Sequence, residues 1–172
     1  MPPGAEFNIK KQYRSVADAA VQKFVSMRET EGARMRQDIT ERLDAIEHLV
    51  YEIEKLSPQS VESYRSRLHA RLCEVLADKD IDEQRILTEA AIFSEKIAVD
   101  EETVRLRSHI SQLKTMLDSD EAVGRKLDFI VQEMNREVNT IGSKAQDLNI
   151  TKLVVDMKAE IEKIREQIQN IE

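Results

Sequence analysis

The chain has 172 residues, a formal net charge of −7, 34% charged and 4% aromatic residues, and a single cysteine, Cys73. That balance excludes a general polyanion binder, so any contact with phosphates must come from local basic groups, and one cysteine excludes an internal disulfide. Four Gly, three Pro and no apolar run of bilayer length lead us to expect a soluble intracellular all-α protein, with long antiparallel helices and coiled-coil-like packing.

Met1 to Arg14 is polar, with Lys10, Lys11 and Arg14, and its two prolines and glycine argue against helix before Ile9. It reads as a flexible or appended lead ahead of a helical domain over 15–172; the alternative is a basic arm against a polyanion. From about Ser15 to Leu56 one very long helix is expected. Gly32, Met35, Ile39, Leu43, Ile46, Val50 and Ile53 hold a three-four spacing, with Leu49 and Leu56 as a second stripe. Such a helix would be on the order of 60 Å long, so part of it should pack on another chain or domain. Gly32 is costly in mid-helix, and close helix approach would justify it.

Ser57-Pro58 should stop that helix. A second helix over roughly Val61 to Ala77 would bury Val61, Tyr64, Leu68, Leu72, Val75 and Leu76. His48 and His69 read as surface histidines. Cys73 lies off the stripe, with no catalytic partner read one turn away. Asp78 to Asp82 reads as a charged turn. The third helix, about Asp82 to Leu117, carries Ile86, Ala90, Phe93 and Ile97, then Leu106, Ile110, Leu113 and Leu117. The two stripes fall out of phase near Ala98–Asp100, so the helix kinks there or buries two sides. Glu102, Arg105 and His109 share one face, as an Arg–Glu pair beside a polar histidine or as a site.

After an acidic connection at Asp118–Glu121, Val123 to Lys144 is strongly amphipathic. Val123, Leu127, Ile130, Val131, Met134, Val138 and Ile141 form one face, and the helix should end around Gly142. The opposite face carries Arg125, Asp128, Gln132, Asn135, Arg136 and Asn139, flanked by Lys126, Glu133, Glu137, Thr140 and Lys144. Asn and Thr are poor helix formers, so these residues look chosen for hydrogen bonds and charge. A break at Asp147–Thr151 follows, with Asn149 or Thr151 as the expected cap. Val154, Met157, Ile161, Ile164, Ile168 and Ile171 then make a coiled-coil seam.

No Gly-rich phosphate loop, HExxH, zinc spacing or Ser-His-Asp order is present. Glu133 and Glu137, one turn apart, could hold Mg²⁺ or Mn²⁺ through carboxylate oxygens. Arg125, Lys126, Arg136 and Lys144 could hold phosphates, and Gln132, Asn135 and Asn139 could bond base edges or 2′-hydroxyls of single-stranded RNA. The alternative is a buried polar helix interface, with Lys126–Glu133 and Arg136–Glu137 as plain ion pairs.

The stretch GRKLDFIVQEMNREVNTIGSKAQD resembles the signature of YicC-type bacterial endoribonucleases. The resemblance continues through ITKLVVDMKAEIEKIREQIQNIE and upstream through FVSMRETEGARMRQDI, YRSRLHARL, DEQRILTEAAIFSEK and EETVRLRSHISQL, roughly residues 20 to 172. Only the helical C-terminal part of such two-part chains is covered; the N-terminal motif like MTGFGR is not. The resemblance implies metal-dependent cleavage of RNA, with Mn or Mg, in the bacterial cytoplasm. It also implies a ring-like homo-oligomer, a hexamer, enclosing the RNA. On that basis Glu133, Glu137 and His109 are the expected catalytic groups, with Glu133, Glu137, Glu102 and Glu89 as metal ligands. Arg125, Lys126, Gln132, Asn135, Arg136, Asn139 and Lys144 would contact RNA. Ala98 stands where the family pattern has an acidic residue. The competing expectations are a non-catalytic RNA-holding and assembly half, or a coiled-coil adaptor.

Overall fold

The computed structural model describes residues 3–77, 82–119 and 124–170, with side chains from residue 12 onward. Five α-helices account for nearly all of them, and no strand occurs among the described residues: α1 Pro3–Leu76, α2 Glu83–Glu95, α3 Asp100–Leu117, α4 Gly124–Lys144 and α5 Leu148–Gln169. The all-α expectation holds. The chain divides into two units, Met1–Asp38 and Ile39–Glu172.

In the first unit the helix is already formed at Pro3, earlier than the composition suggested. Proline is tolerated at a first helical position because its missing N–H would have no intrahelical acceptor there. Every residue from Gln12 to Arg34 is exposed. Gly32 meets nothing: a methyl group built there would have no neighbour within 4 Å. The close helix approach expected at Gly32 is therefore not made within this unit.

The second unit holds the core. Ile39, Leu43, Ile46, Val50 and Ile53 of α1 are fully buried, as their spacing predicted. They join Leu106, Ile110 and Leu113 of α3 with the apolar faces of α4 and α5 in one cluster. Four ion pairs tie the rim of this cluster across helices. Arg107 grips Glu54 with Nε and Nη2 at 2.9 and 2.7 Å. Lys114 reaches Asp44 and Glu47 at 2.7 and 2.8 Å, and Arg42 reaches Glu160 at 2.9 Å.

Three boundaries differ from the sequence reading. First, α1 runs through Pro58. An interior proline costs about 3 kcal/mol for its lost hydrogen bond and ring clash. Ile53 and the buried Ser57 anchor the helix on the core side. On the other side Glu62, Arg65, Ser66 and His69 line a shallow cleft of about 430 Å³ with Leu87, Ala90 and Ala91 of α2. The helix continues through Pro58 to Leu76 with the core-side anchor in the turn before it. Second, the stripe Val61–Leu76 is only half-buried and Val75 is exposed, because short α2 covers just part of it. Third, the phase break near Ala98 is a true interruption, with α2 ending at Glu95 and α3 starting at Asp100. Phe93, expected inside, is exposed under the Lys96 ammonium, 4.6 Å from its ring centroid. The charged turn at Asp78–Asp82 lies mostly outside the described residues, as do parts of the Asp118–Glu121 connection, Val123 and Ile171.

Helices α4 and α5 are joined by residues 145–147 and pack along each other. Gly142 lies inside α4, two residues before its end, where a Cβ would stand 3.0 Å from Val154 Cγ1 of α5. The helix thus ends two residues past Gly142, close to where the sequence put its end, and the glycine itself marks close helix approach. The α5 cap is Asp147, whose carboxylate accepts from the Asn149 and Ile150 amides at 2.7 and 3.2 Å. Neither expected cap, Asn149 nor Thr151, takes that place, because Asp147, two residues before Asn149 and four before Thr151, has the extended φ and ψ of a capping residue.

Candidate functional site

The richest polar junction lies between the start of α3 and the second half of α4. The start of α3 carries Asp100, Glu101 and Glu102, three carboxylates that complement the helix dipole. Glu102 is turned inward and only 3% exposed. On α4, Glu137 falls on the buried face between Met134 and Val138 and is 7% exposed. Two buried carboxylates on adjacent helices need cations. Arg105 supplies one: its Nε donates to Glu137 Oε1 at 2.9 Å and its Nη2 to Glu102 Oε1 at 3.1 Å. Its Nη1 makes a longer bond of 3.4 Å to the exposed Glu101. Lys144, in the last turn of α4, supplies the other. Its Nζ donates to Glu102 Oε1 at 2.8 Å and to the Ala98 carbonyl at 3.2 Å.

The electrostatics follow from this geometry. Burial alone pushes the Glu102 carboxyl up. The Lys144 hydrogen bond, the residue's own amide at the helix start, and the Lys144 and Arg105 charges outweigh it and hold the group below the usual carboxylate value. Arg105 is held more firmly protonated, first by its hydrogen bond to Glu137. Two buried polar atoms in this face of α3, Glu102 Oε2 and His109 Nδ1, have no hydrogen-bond partner among the described residues.

The candidate residues named from sequence separate into three groups. Glu102, Glu137 and Lys144 come together around Arg105. Arg125, Gln132, Asn135, Arg136 and Asn139 lie exposed along the outer face of α4, with Lys126 exposed at its flank. Gln132 there donates to Asp128 at 2.7 Å. Glu133 is half-buried and faces Arg136 at 4.0 Å, not Lys126, and Glu89 is exposed on α2. His109 is half-buried on α3. Among the described residues no three His, Cys, Asp or Glu side chains are placed to hold a metal ion. Glu102 and Glu137 already serve as acceptors for Arg105 and Lys144. Glu133, Glu137, Glu102 and Glu89 therefore do not fit an ion as they stand.

Two features escaped the sequence reading. Arg105 is the centre of the junction and not simply the partner of Glu102; its i+3 spacing from Glu102 gave half of that, but no local signal gives its reach to Glu137. The second is at Cys73. His69 lies one turn before it on α1, with Nε2 3.8 Å from Sγ, a weak contact that the i−4 spacing could have shown.

The comparisons with known proteins agree with one another. Residues 53–172 match the family model described as "Endoribonuclease YicC-like, C-terminal". The chain is 51% identical over 160 residues to "Probable endoribonuclease YicC" from Clostridioides difficile, a match that takes in 92% of this chain and 54% of that protein. It is 37% identical over 164 residues to the protein of the same description from Haemophilus influenzae, covering 95% of this chain and 56% of the relative. The chain thus spans about half the length of the curated relatives it matches. With most of its length matching that family model, the chain belongs to the YicC-like endoribonuclease family and carries the family's C-terminal part.

Proposed function

We propose that this chain forms the RNA-engaging and acid–base face of an endoribonuclease. The observation that carries the reading is the Arg105 junction: two buried carboxylates meet a half-exposed guanidinium beside the exposed polar face of α4. By helix periodicity, the flank with Glu133, Glu137 and Lys144 adjoins the face with Arg125, Gln132, Asn135, Arg136 and Asn139. Arg125 and Arg136 would hold phosphates, and the amides would bond 2′-hydroxyls or base edges of unpaired RNA. The Arg105 Nη1 edge, bonded only to exposed Glu101, is the edge a phosphate can take. Drawing Arg105 towards RNA would weaken its hold on Glu137 and leave a carboxylate to accept a proton from the attacking hydroxyl.

Dependence on Mn²⁺ or Mg²⁺ belongs to this proposal. Such an ion would supply charge neutralisation on the phosphodiester, and its ligands would have to include groups beyond the four glutamates named above. Assembly into a homo-oligomer around the RNA belongs to it as well, and is read from the mass in solution.

A second reading is a non-catalytic holding and assembly half. It is favoured by the neutralisation of Glu102 and Glu137 by Arg105 and Lys144. One experiment separates the two. The purified chain is incubated with a labelled structured RNA, with Mn²⁺ or with EDTA, on a denaturing gel beside a gel-shift lane. Metal-dependent cuts that disappear in Glu137→Gln support the catalytic reading. A shift without cuts assigns the chain to the holding half.

A further inference from the structure

Helix α1 carries, in the first unit, an apolar stripe that nothing in that unit covers. Tyr13, Val16, Ala20, Phe24 and Met27 recur at spacings of three, four, four and three, so they share a narrow face of the helix. All five are exposed, Tyr13, Val16, Phe24 and Met27 by more than half of their surface. Scattered exposed apolar residues need no explanation, but a continuous helical face of them marks an interaction surface. Gly32 stands off this stripe, about a third of a turn round the helix from it. It lies in mid-helix, costs about 1 kcal/mol against Ala, and has open space where its side chain would be. A glycine in that setting fits a partner surface that approaches the backbone closely.

We propose that this stripe docks the half of the family's polypeptide that lies outside the match. Three facts select that occupant. The C-terminal family model begins only at residue 53, yet the two relatives align with 92% and 95% of this chain. The stripe is therefore family sequence that stands outside the family's C-terminal unit. Those relatives also have nearly as much chain again beyond the matched part. Finally, the unbroken apolar run on this face, Ile9 to Met27, falls short of three heptads, and Glu31 interrupts it before Met35. The sequence signal of a coiled coil with a second copy is about three to four sustained heptads, which this face does not carry without a break. A short stripe of large side chains with a nearby glycine suits a wider surface, such as a folded domain.

The test uses the full-length Clostridioides difficile relative, with a photo-reactive benzoylphenylalanine at the position aligned with Phe24. After irradiation the cross-linked peptides are identified by mass spectrometry. Docking as proposed gives an adduct within the half outside the match. Adducts to the same helix of a second copy, adducts within the matched half, or no adduct would each overturn it. In parallel, Ala20→Asp with Phe24→Asp is made in the present chain. Its helix content, melting and mass in solution should stay as in the parent, since neither side chain is covered by the described residues of the first unit. A fall in mass with the double substitution would make a second copy the occupant and reject the proposal.

Discussion

Arg105 on α3 and Glu137 on α4 meet across 2.9 Å, and the same guanidinium binds Glu102, so one side chain satisfies carboxylates on two helices. A planar fork reaches the two through separate nitrogens in fixed directions, where an ammonium would have to share one nitrogen between them. Arg105→Lys is expected to lower the melting temperature, and Arg105→Ala to lower it further. Thermal denaturation followed by circular dichroism checks the order. Melting equal to the parent in both would reduce the junction to a solvated ion pair of the ordinary surface kind.

Lys144 is the second cation of the junction and the bond between the end of α4 and the α2–α3 connection at Ala98. Lys144→Met keeps the stem and removes the charge. It leaves Glu102, 3% exposed, with one cation in place of two. A destabilisation of about 2 kcal/mol is expected, the usual scale for uncovering a buried charged acceptor. Urea unfolding gives the number directly, and an unchanged midpoint contradicts it.

Acid should unfold the protein through a small set of carboxylates. Glu54 is held low first by its hydrogen bond from Arg107, and Glu160 first by that from Lys163. Glu102 is also low, because its bonds and charges overcome burial. Each of the three binds its proton more readily unfolded than folded. Their stabilisation is complete above the unfolded value, about 4.3, and is lost as pH falls through the lower folded values. Unfolding free energy should therefore be level from pH 7 to about pH 5 and fall below that. Glu54→Gln with Arg107→Gln should flatten the fall.

The two described mid-helix glycines should respond in opposite directions. At Gly32 a methyl group meets open space, so Gly32→Ala should raise stability or helix content by about 1 kcal/mol. At Gly142 the methyl would meet Val154 Cγ1 at 3.0 Å. Val154 is buried and stiff at its branched carbon, so the clash outweighs the gain in propensity. Gly142→Ala is expected to cost about 1 kcal/mol net, with Val154→Ala relieving the steric part. Denaturant melts of the three variants settle the signs.

For the outer face of α4 the measurement is the salt dependence of RNA binding. Arg125→Ala and Arg136→Ala should each weaken binding across RNA sequences. Each should also reduce the slope of log affinity against log salt by somewhat under one. Asn135→Ala and Asn139→Ala should leave that slope alone. Slopes unaffected by either arginine would remove this face from phosphate contact.

Periodicity made most of this fold legible. The stripes Ile39–Ile53, Leu106–Leu113, Leu127–Ile141 and Val154–Ile168 are buried where their spacing placed them, because a three-four repeat has one stable use, a shared apolar seam. Reading failed where a local signal was outvoted. Pro58 breaks an isolated helix, but α1 runs on through it to Leu76, with Ile53 and Ser57 buried in the core just before it. Gly142 does stand two residues from the end of α4, but its role as a point of close approach to α5 was not read.

The sequence by itself determined the helical class, the family and the two faces of α4, since these depend on residue order within one helix. Only the tertiary structure decided the candidate site. Glu133 and Glu137 share a helical repeat, yet Glu137 turns to Arg105 on another helix while Glu133 stays with Arg136. Lys144, expected to face phosphate, spends its charge on Glu102. Which cation meets which carboxylate depends on how α3 lies against α4, and that follows from the core packing of both, a relation between residues 32 or more positions apart that no local spacing encodes.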